Sequence, residues 1–159
     1  MKRPQQDASQ SVPRERFWEL PLDELNSTEW EQLCDGCGRC CLKKLEDPDS
    51  AELAWTRVIC RYYDQQREQC GCYQERTTLV PECLDVRRMD LNDNLHWMPA
   101  TCAYRLRAEG KALYDWHPLL TGSDDAMHAA GISVAGQVLS EEHVHPDGLD
   151  EHLIRWVTS

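Results

Sequence analysis

Cys34-Asp35-Gly36-Cys37-Gly38-Arg39-Cys40-Cys41 is the stretch on which the reading of this chain turns. Cysteines separated by two residues in a glycine-containing loop can reach one metal ion, because the turn folds both thiolates to the same side and loop amides can donate to sulfur. Cys34, Cys37 and Cys40 repeat that spacing, and Gly36 and Gly38 supply the backbone freedom it needs. The loop is polar and lacks apolar periodicity, which sets these residues apart from cysteines buried as small hydrophobes. Converging thiolates then call for further ligands from elsewhere in the chain.

Cys41 follows Cys40 directly. Adjacent side chains on extended backbone point to opposite sides, so the pair is expected to face two sites or two parts of one multinuclear cluster. Downstream, Cys60, Cys70, Cys72, Cys83 and Cys102 are available to complete the coordination. Two four-thiolate sites would use all but one of the nine cysteines. Cys72 is the expected spare, because it is separated from Cys70 by a single residue, a less common spacing for chelating one ion. The expected metal ligands are therefore Cys34, Cys37, Cys40, Cys41, Cys60, Cys70, Cys83 and Cys102, holding zinc or iron, with an iron–sulfur cluster as one form of the iron reading.

The surrounding composition agrees. The chain has 159 residues, nine Cys, six Trp and only one Phe. A purely aliphatic core looks thin, and cross-linking by metal is the expected remedy. The formal charge of −11 opposes binding to a phosphate backbone, so no nucleic-acid partner is expected. Met1 to Pro13 has no apolar run of the kind a secretory signal needs, and no stretch approaches the roughly 20 apolar residues that cross a bilayer. A cytoplasmic protein with no membrane partner follows, and in that reducing compartment an odd number of cysteines reads as metal-binding rather than as a disulfide framework.

The expected architecture is α+β, a small, irregular, metal-stapled domain with short helices and few strands over residues 14–159, preceded by a disordered tail over residues 1–13. Phe17, Trp18 and Leu20 form a short apolar anchor at the start of the domain. Thr28 and Glu31 have capping-box spacing for a helix over Thr28 to Leu33. Leu53 to Tyr63 is rich in β-branched and aromatic residues and reads as a strand with Cys60 near its end, followed by a polar turn from Asp64 to Cys72. Cys102 to Gly110 reads as a helix, as does the segment from Ser123 to Gly131. Ile132, Val134 and Val138 alternate as a strand, and Asp147 opens a last helix through Leu149, Leu153 and Trp156.

Among other polar residues, Arg39 is placed to offset cluster charge from inside the motif, whereas Lys43 and Lys44 read equally well as solvated charges. Asp35, the acidic residue within the loop, reads as a turn former. His143 and His145 sit in an exposed acidic loop, a poor setting for ligation. His117 and His128 are better placed at turns or helix ends for a functional surface, though a structural role is the commoner one for such residues.

The segments Cys-Asp-Gly-Cys-Gly-Arg-Cys-Cys-Leu-Lys-Lys-Leu, Cys70-x-x-Tyr-x-x-Arg76, Val-Pro-Glu-Cys83, Thr-Cys-Ala-Tyr-Arg-Leu, Glu-Gly-Lys-Ala-Leu and Trp-His-Pro-Leu together resemble the YcgN-like branch of the CxxCxxCC cysteine-cluster family, which is described as zinc- or iron-chelating. The resemblance runs from about Phe17 to the C-terminus. It implies metal ligation by Cys34, Cys37, Cys40 and Cys41, and matches Cys60, Cys70 and Cys83 to the broader family's later cysteines. Cys72 and Cys102 are features of the branch alone. The broader family includes flagellin lysine N-methylase proteins, which implies an iron–sulfur enzyme or redox protein as the alternative to a metal-binding protein offering an accessory surface to an unidentified protein partner.

Overall fold

A computed structural model describes residues 12–159, so all but the last two residues of the expected tail lie outside the described residues. The architecture is α+β. Leu42–Glu46 (β1) and Leu53–Ile59 (β2) form an antiparallel hairpin, and Leu139–Ser140 (β5) joins the far edge of β2 in parallel. A second, two-stranded ladder pairs Tyr63–Asp64 (β3) with Gln69–Cys70 (β4). Short helices Ser27–Leu33 (α1), Arg76–Leu79 (α2), Leu91–Asn94 (α3), Ala103–Ala108 (α4), Pro118–Thr121 (α5) and Asp125–Ala129 (α6) fill the rest, with several 3-10 turns between them. Among the described residues no helix is long and apolar enough to cross a membrane.

The apolar residues gather in two clusters. Phe17, Leu25, Trp30, Leu33, Met98, Ala103, Tyr104 and Leu113 form one, with Trp18, Leu20 and Cys102 packed against it. Leu42, Trp55, Ile59, Tyr63, Val134 and Val157 form the other, with Cys41 and Trp156 at its margin. The expected anchor at Phe17 is borne out, since its side chain is buried in the first cluster.

Helix α1 starts one residue before the expected Thr28 and uses a different cap. Asn26 accepts from the Glu29 N–H at 2.9 Å while Glu29 accepts from the Asn26 N–H at 3.0 Å. This box wins because Glu29 faces inward, where Arg14 donates to it from its backbone N–H at 2.8 Å and from its guanidinium at 2.7 and 3.0 Å. One buried carboxylate thus ties the entering chain to the helix start.

The β2 expectation holds, with its end at Ile59. The polar turn from Asp64 contains the β3–β4 ladder, whose turn is held by the Asp64 carboxylate accepting from the Gln66 and Arg67 N–H groups. The strand expected over Ile132 to Val138 is absent, and only Leu139 and Ser140 pair with β2. The 132–138 backbone instead serves other contacts: the Val134 N–H donates to the Cys37 carbonyl, and the Ile132 carbonyl accepts from Arg39. The last helix is a 3-10 segment, Pro146–His152, capped by the His145 side chain rather than by Asp147. Pro146 at its first position fits a helix start, and Leu153 leaves it to bridge Thr56.

Two glycines in the cysteine loop have left-handed φ, +75° at Gly36 and +79° at Gly38, and their surroundings differ. A Cβ on Gly36 would meet nothing within 4 Å, whereas one on Gly38 would sit 2.7 Å from Val134 Cγ2 and 2.8 Å from the Tyr63 hydroxyl. Gly36→Ala is therefore expected to cost only the left-handed backbone penalty, about 1–2 kcal/mol. Gly38→Ala adds an overpacking penalty of about 1–3 kcal/mol. Urea unfolding of both variants at matched metal content checks the order, and equal losses would contradict the close approach at Gly38.

Arg14, through its hydrogen bonds, holds the Glu29 carboxyl down to about 2, with the Asn26 and Arg14 backbone N–H groups adding to the effect. Because the folded value lies below that of an unfolded glutamate, this contribution to stability is complete above about pH 4.3 and disappears as pH falls toward 2. Thermal unfolding between pH 5 and 2.5 should show a decline that Glu29→Gln flattens. Asn26→Ala should cost about 1 kcal/mol through loss of the cap without removing that pH dependence.

Candidate metal centre

The local geometry of the cysteine loop follows from its own amides. The Gly36 N–H donates to Cys34 Sγ at 3.4 Å, and the Arg39 N–H donates to Cys37 Sγ at 3.5 Å. Each bond joins a thiol to the amide two residues on, and N–H donation of this kind favours the thiolate. Asp35 Oδ1 accepts from the Cys37 N–H at 2.9 Å and closes the first turn. Arg39–Cys41 then forms a single 3-10 turn, with the Cys41 N–H donating to the Gly38 carbonyl, and this turn feeds directly into β1.

Strand register brings the next cysteines in. Leu42 pairs with Ile59, and one step further along the hairpin the Cys60 N–H donates to the Cys41 carbonyl at 3.0 Å. Tyr63 then pairs with Cys70 across the small ladder. Gly71 between Cys70 and Cys72 lets the backbone pass close to Tyr62, where a Cβ would lie 2.8 Å from the Tyr62 carbonyl oxygen. The Cys70 and Cys72 sulfurs are 3.8 Å apart. Cys83 follows a turn in which its N–H donates to the Val80 carbonyl, and Cys102 is the residue that precedes α4.

All nine cysteines line one cavity of about 400 Å³. Its walls take Met98, Ala103 and Tyr104 from the first apolar cluster and Leu42 and Tyr63 from the second. The centre therefore lies at the seam between the two cores. The eight expected ligands and Cys72, the expected spare, share this space. The sulfurs surround it rather than meeting at one point: among the described residues no three of them lie within 4.8 Å of one another.

Electrostatics centre on Cys40, which acts on thiols along both sides of the cavity. Burial, then the charges of Asp35 and Cys40, raise Cys34 and Cys37 above the ordinary thiol range. Burial pushes Cys102 up to about 12, and Cys40 and Asp35 add to it. On the other side, a hydrogen bond with Cys40 and burial raise Cys41, which also feels Cys70 and Cys60. Burial, then a hydrogen bond with Cys70, push Cys72 up to about 11, and burial raises Cys83, which feels Cys40 first and then, like Cys72, the Cys70 and Cys60 charges. Cys40 itself is lowered, first by its hydrogen bond from Cys41 and then, against burial, by Lys44. Cys34 and Cys40 are exposed as residues, while their thiols are shifted by burial among the cavity walls.

The residues present fit a thiophilic metal. Besides the thiols, two buried polar atoms with no hydrogen-bond partner, Asp35 Oδ2 and the Tyr63 hydroxyl, belong to residues of the cavity wall. Bound metal would be held by thiolates drawn from the cysteine loop, the residue after β2, the β3–β4 ladder and its exit, and the turns at Cys83 and Cys102. Zinc there would act as a closed structural ion and iron would add redox capacity.

The cationic residues take different places from those expected. Arg39 is buried, but its guanidinium donates to the Ile132 carbonyl at 2.7 Å and the Gly131 carbonyl at 3.3 Å and lies over the Trp156 ring. It pins the 131–132 loop against the motif. Lys44 lines the cavity with Lys43 and Arg76, donates to the Trp97 carbonyl at 3.2 Å and lies over the Trp55 ring at 4.7 Å. Burial lowers its ammonium, and Cys40, Cys41 and Cys83 oppose that shift. Sequence reasoning missed Tyr63 and gave Asp35 only a turn-forming role. A buried tyrosine with an unpartnered hydroxyl leaves no signal in spacing, whereas the position of Asp35 inside the motif was the available clue.

The histidines lie apart from the sulfurs. His117 is buried in the core, where Nε2–H donates to the Leu33 carbonyl at 2.8 Å and Nδ1 accepts from the Leu119 N–H at 3.0 Å. It is a satisfied structural residue, not part of a surface. His128 is held by Glu68 at 2.7 Å and the Asp124 carbonyl at 2.8 Å.

Comparison with known proteins places these observations. The family model described as "CxxCxxCC: Putative zinc- or iron-chelating domain" matches residues 33–103, the interval that contains every cysteine. A UPF0260 protein of Cellvibrio japonicus is 46% identical over 92% of this chain and 99% of its own length. Those of Rhodobacter capsulatus and Marinobacter nauticus are 48% and 47% identical, each over 89% of this chain and 95% of their own. No solved structure matches the chain. With similarity of this extent along nearly the whole length, the chain belongs to the UPF0260 family, and all nine cysteines of its cavity lie within the interval that the CxxCxxCC family model matches.

Proposed function

We propose that this protein holds a polynuclear metal centre, best read as iron–sulfur, in the cytoplasm. The observation that carries the reading is the convergence of nine thiols on one cavity of about 400 Å³. A single zinc ion bound at about 2.3 Å needs four sulfurs about 3.8 Å apart. The Cys70–Cys72 pair has that separation, but the thiols as a group stand around a wider perimeter. Such a perimeter suits a centre whose metals are joined by bridging atoms and whose protein ligands reach inward from several sides.

Cys40 and Cys41 give the assembly its division. Cys40 belongs with Cys34, Cys37 and Cys102, and Cys41 belongs with Cys60, Cys70, Cys72 and Cys83. The thiols that burial holds protonated must release protons on binding, so loading should acidify a weakly buffered solution. Lys44 and the loop amides then offset the accumulated negative charge.

Anaerobic purification followed by absorption spectroscopy, elemental analysis and acid-labile sulfide assay tests the proposal. The expected protein is brown, with more than one iron per chain and matching sulfide. Cys40→Ser and Cys41→Ser should each lower the iron content. A colourless protein carrying one zinc ion, unchanged by either substitution, would sink the polynuclear reading.

A further inference from the structure

Asp35 is more than a turn former. Its side chain is only 8% exposed, and its two oxygens have different circumstances. Oδ1 accepts from the Cys37 N–H at 2.9 Å, a bond that an asparagine side chain would make equally well. Oδ2 is buried with no hydrogen-bond partner, so the second oxygen is unexplained by the turn. A buried polar atom left unpaired is costly, and a carboxylate among thiols adds repulsion unless a cation balances it.

The chain's own nearby cations are engaged elsewhere. Arg39 is turned to the Gly131 and Ile132 carbonyls, and Lys44 to the Trp97 carbonyl and the Trp55 ring. Asp35 lines the cavity between Cys34 and Cys37 in sequence and shares its wall with Cys40 and Cys102. A metal cation in that half of the cavity would supply the missing partner of Oδ2 and add to the positive charge that Arg39 provides without bonding to it. Carboxylate oxygen is an ordinary ligand of zinc and of iron beside softer donors.

We propose that Asp35 is a direct ligand of the metal centre through Oδ2, making the Cys34, Cys37, Cys40 and Cys102 half a mixed sulfur–oxygen site. The inference rests on the chelation reading above and deepens it. The other half, built around Cys41, Cys60, Cys70, Cys72 and Cys83, remains all-sulfur. The two halves then differ in ligand chemistry, and the carboxylate-containing half is the more exchangeable one, because oxygen holds these metals less tightly than thiolate does.

The test uses the full-length reduced chain loaded anaerobically with 113Cd2+ and, separately, with Co2+. Asp35→Asn retains the Oδ1 acceptor and removes the anionic oxygen, and Asp35→Cys replaces the oxygen ligand with sulfur. Asp35→Asn is expected to weaken at least one metal equivalent by about tenfold or more in competition with a chromophoric chelator, with an unchanged far-ultraviolet spectrum. Asp35→Cys should keep the wild-type stoichiometry while shifting one cadmium resonance to higher frequency and strengthening the sulfur-to-cobalt charge-transfer band. Wild-type affinity and cadmium spectrum in Asp35→Asn would overturn the ligand role alone, as would loss of metal from a natively folded Asp35→Cys. A wild-type chain that takes up neither metal would overturn the chelation reading together with this inference.

Discussion

The convergence of nine thiols at the seam between two small apolar cores is the constraint on which the rest of this structure depends. Neither core is large. One rests on Trp30, Leu33 and Met98 and the other on Trp55, Ile59 and Val134, and both contribute residues to the wall of the same cavity. In most domains the meeting point of such clusters would be filled by aliphatic side chains. Here it is lined with sulfur. Bonds from metal to sulfur across that seam would do what interdigitated side chains do elsewhere, which explains how a chain with one Phe and few long secondary-structure elements can keep a defined shape.

That arrangement sets a tension between folding and charge. The chain has a formal charge of −11, and each thiol that becomes a thiolate adds to it. Burial and mutual repulsion keep Cys34, Cys37, Cys41 and Cys102 protonated in the absence of metal. A neutral thiol wall is compatible with the folded cavity, whereas a fully ionised wall requires cations. Lys44 supplies one, held in place by a carbonyl and an indole ring. Arg39, inside the motif, gives its hydrogen bonds to the 131–132 carbonyls and so maintains the shape of the loop, while its charge also acts on Cys37 and Asp35. Lys43 and Arg76 line the same cavity, and Arg76 acts on Cys83.

How much of this was legible in the sequence follows from how local each feature is. The cysteine loop was readable because its geometry is made by its own amides: Gly36 and Arg39 each donate to a sulfur two residues back. Helices α1 and α4 and strand β2 were readable for the same reason, each having a nearby cap, glycine or β-branched run. The capping box was misplaced by two residues because Thr28 and Glu31 share the spacing of Asn26 and Glu29. Only the distant Arg14 decides which glutamate faces inward. The alternation at Ile132, Val134 and Val138 suggested a strand, but the segment's backbone is occupied by Cys37 and Arg39, contacts about ninety positions away in sequence. The same limit hid the placement of Cys72 in the cavity, which depends on a two-residue ladder and on Gly71 passing against Tyr62.

The vicinal pair connects these threads. On extended backbone adjacent side chains diverge, but Cys40 and Cys41 lie in the 3-10 turn at Arg39–Cys41, where their thiols act on each other. Cys40 closes the loop that leaves α1 and the first core, while Cys41 opens β1 and packs at the margin of the second core, with Cys60 bonded beside it. One peptide bond therefore carries the boundary between the two apolar cores. Inserting a residue there would rotate β1 relative to the loop and send the strand's alternating side chains to the wrong face. The CxxCxxCC spacing, with its final pair unseparated, is thus fixed as much by the β1–β2 register as by metal geometry.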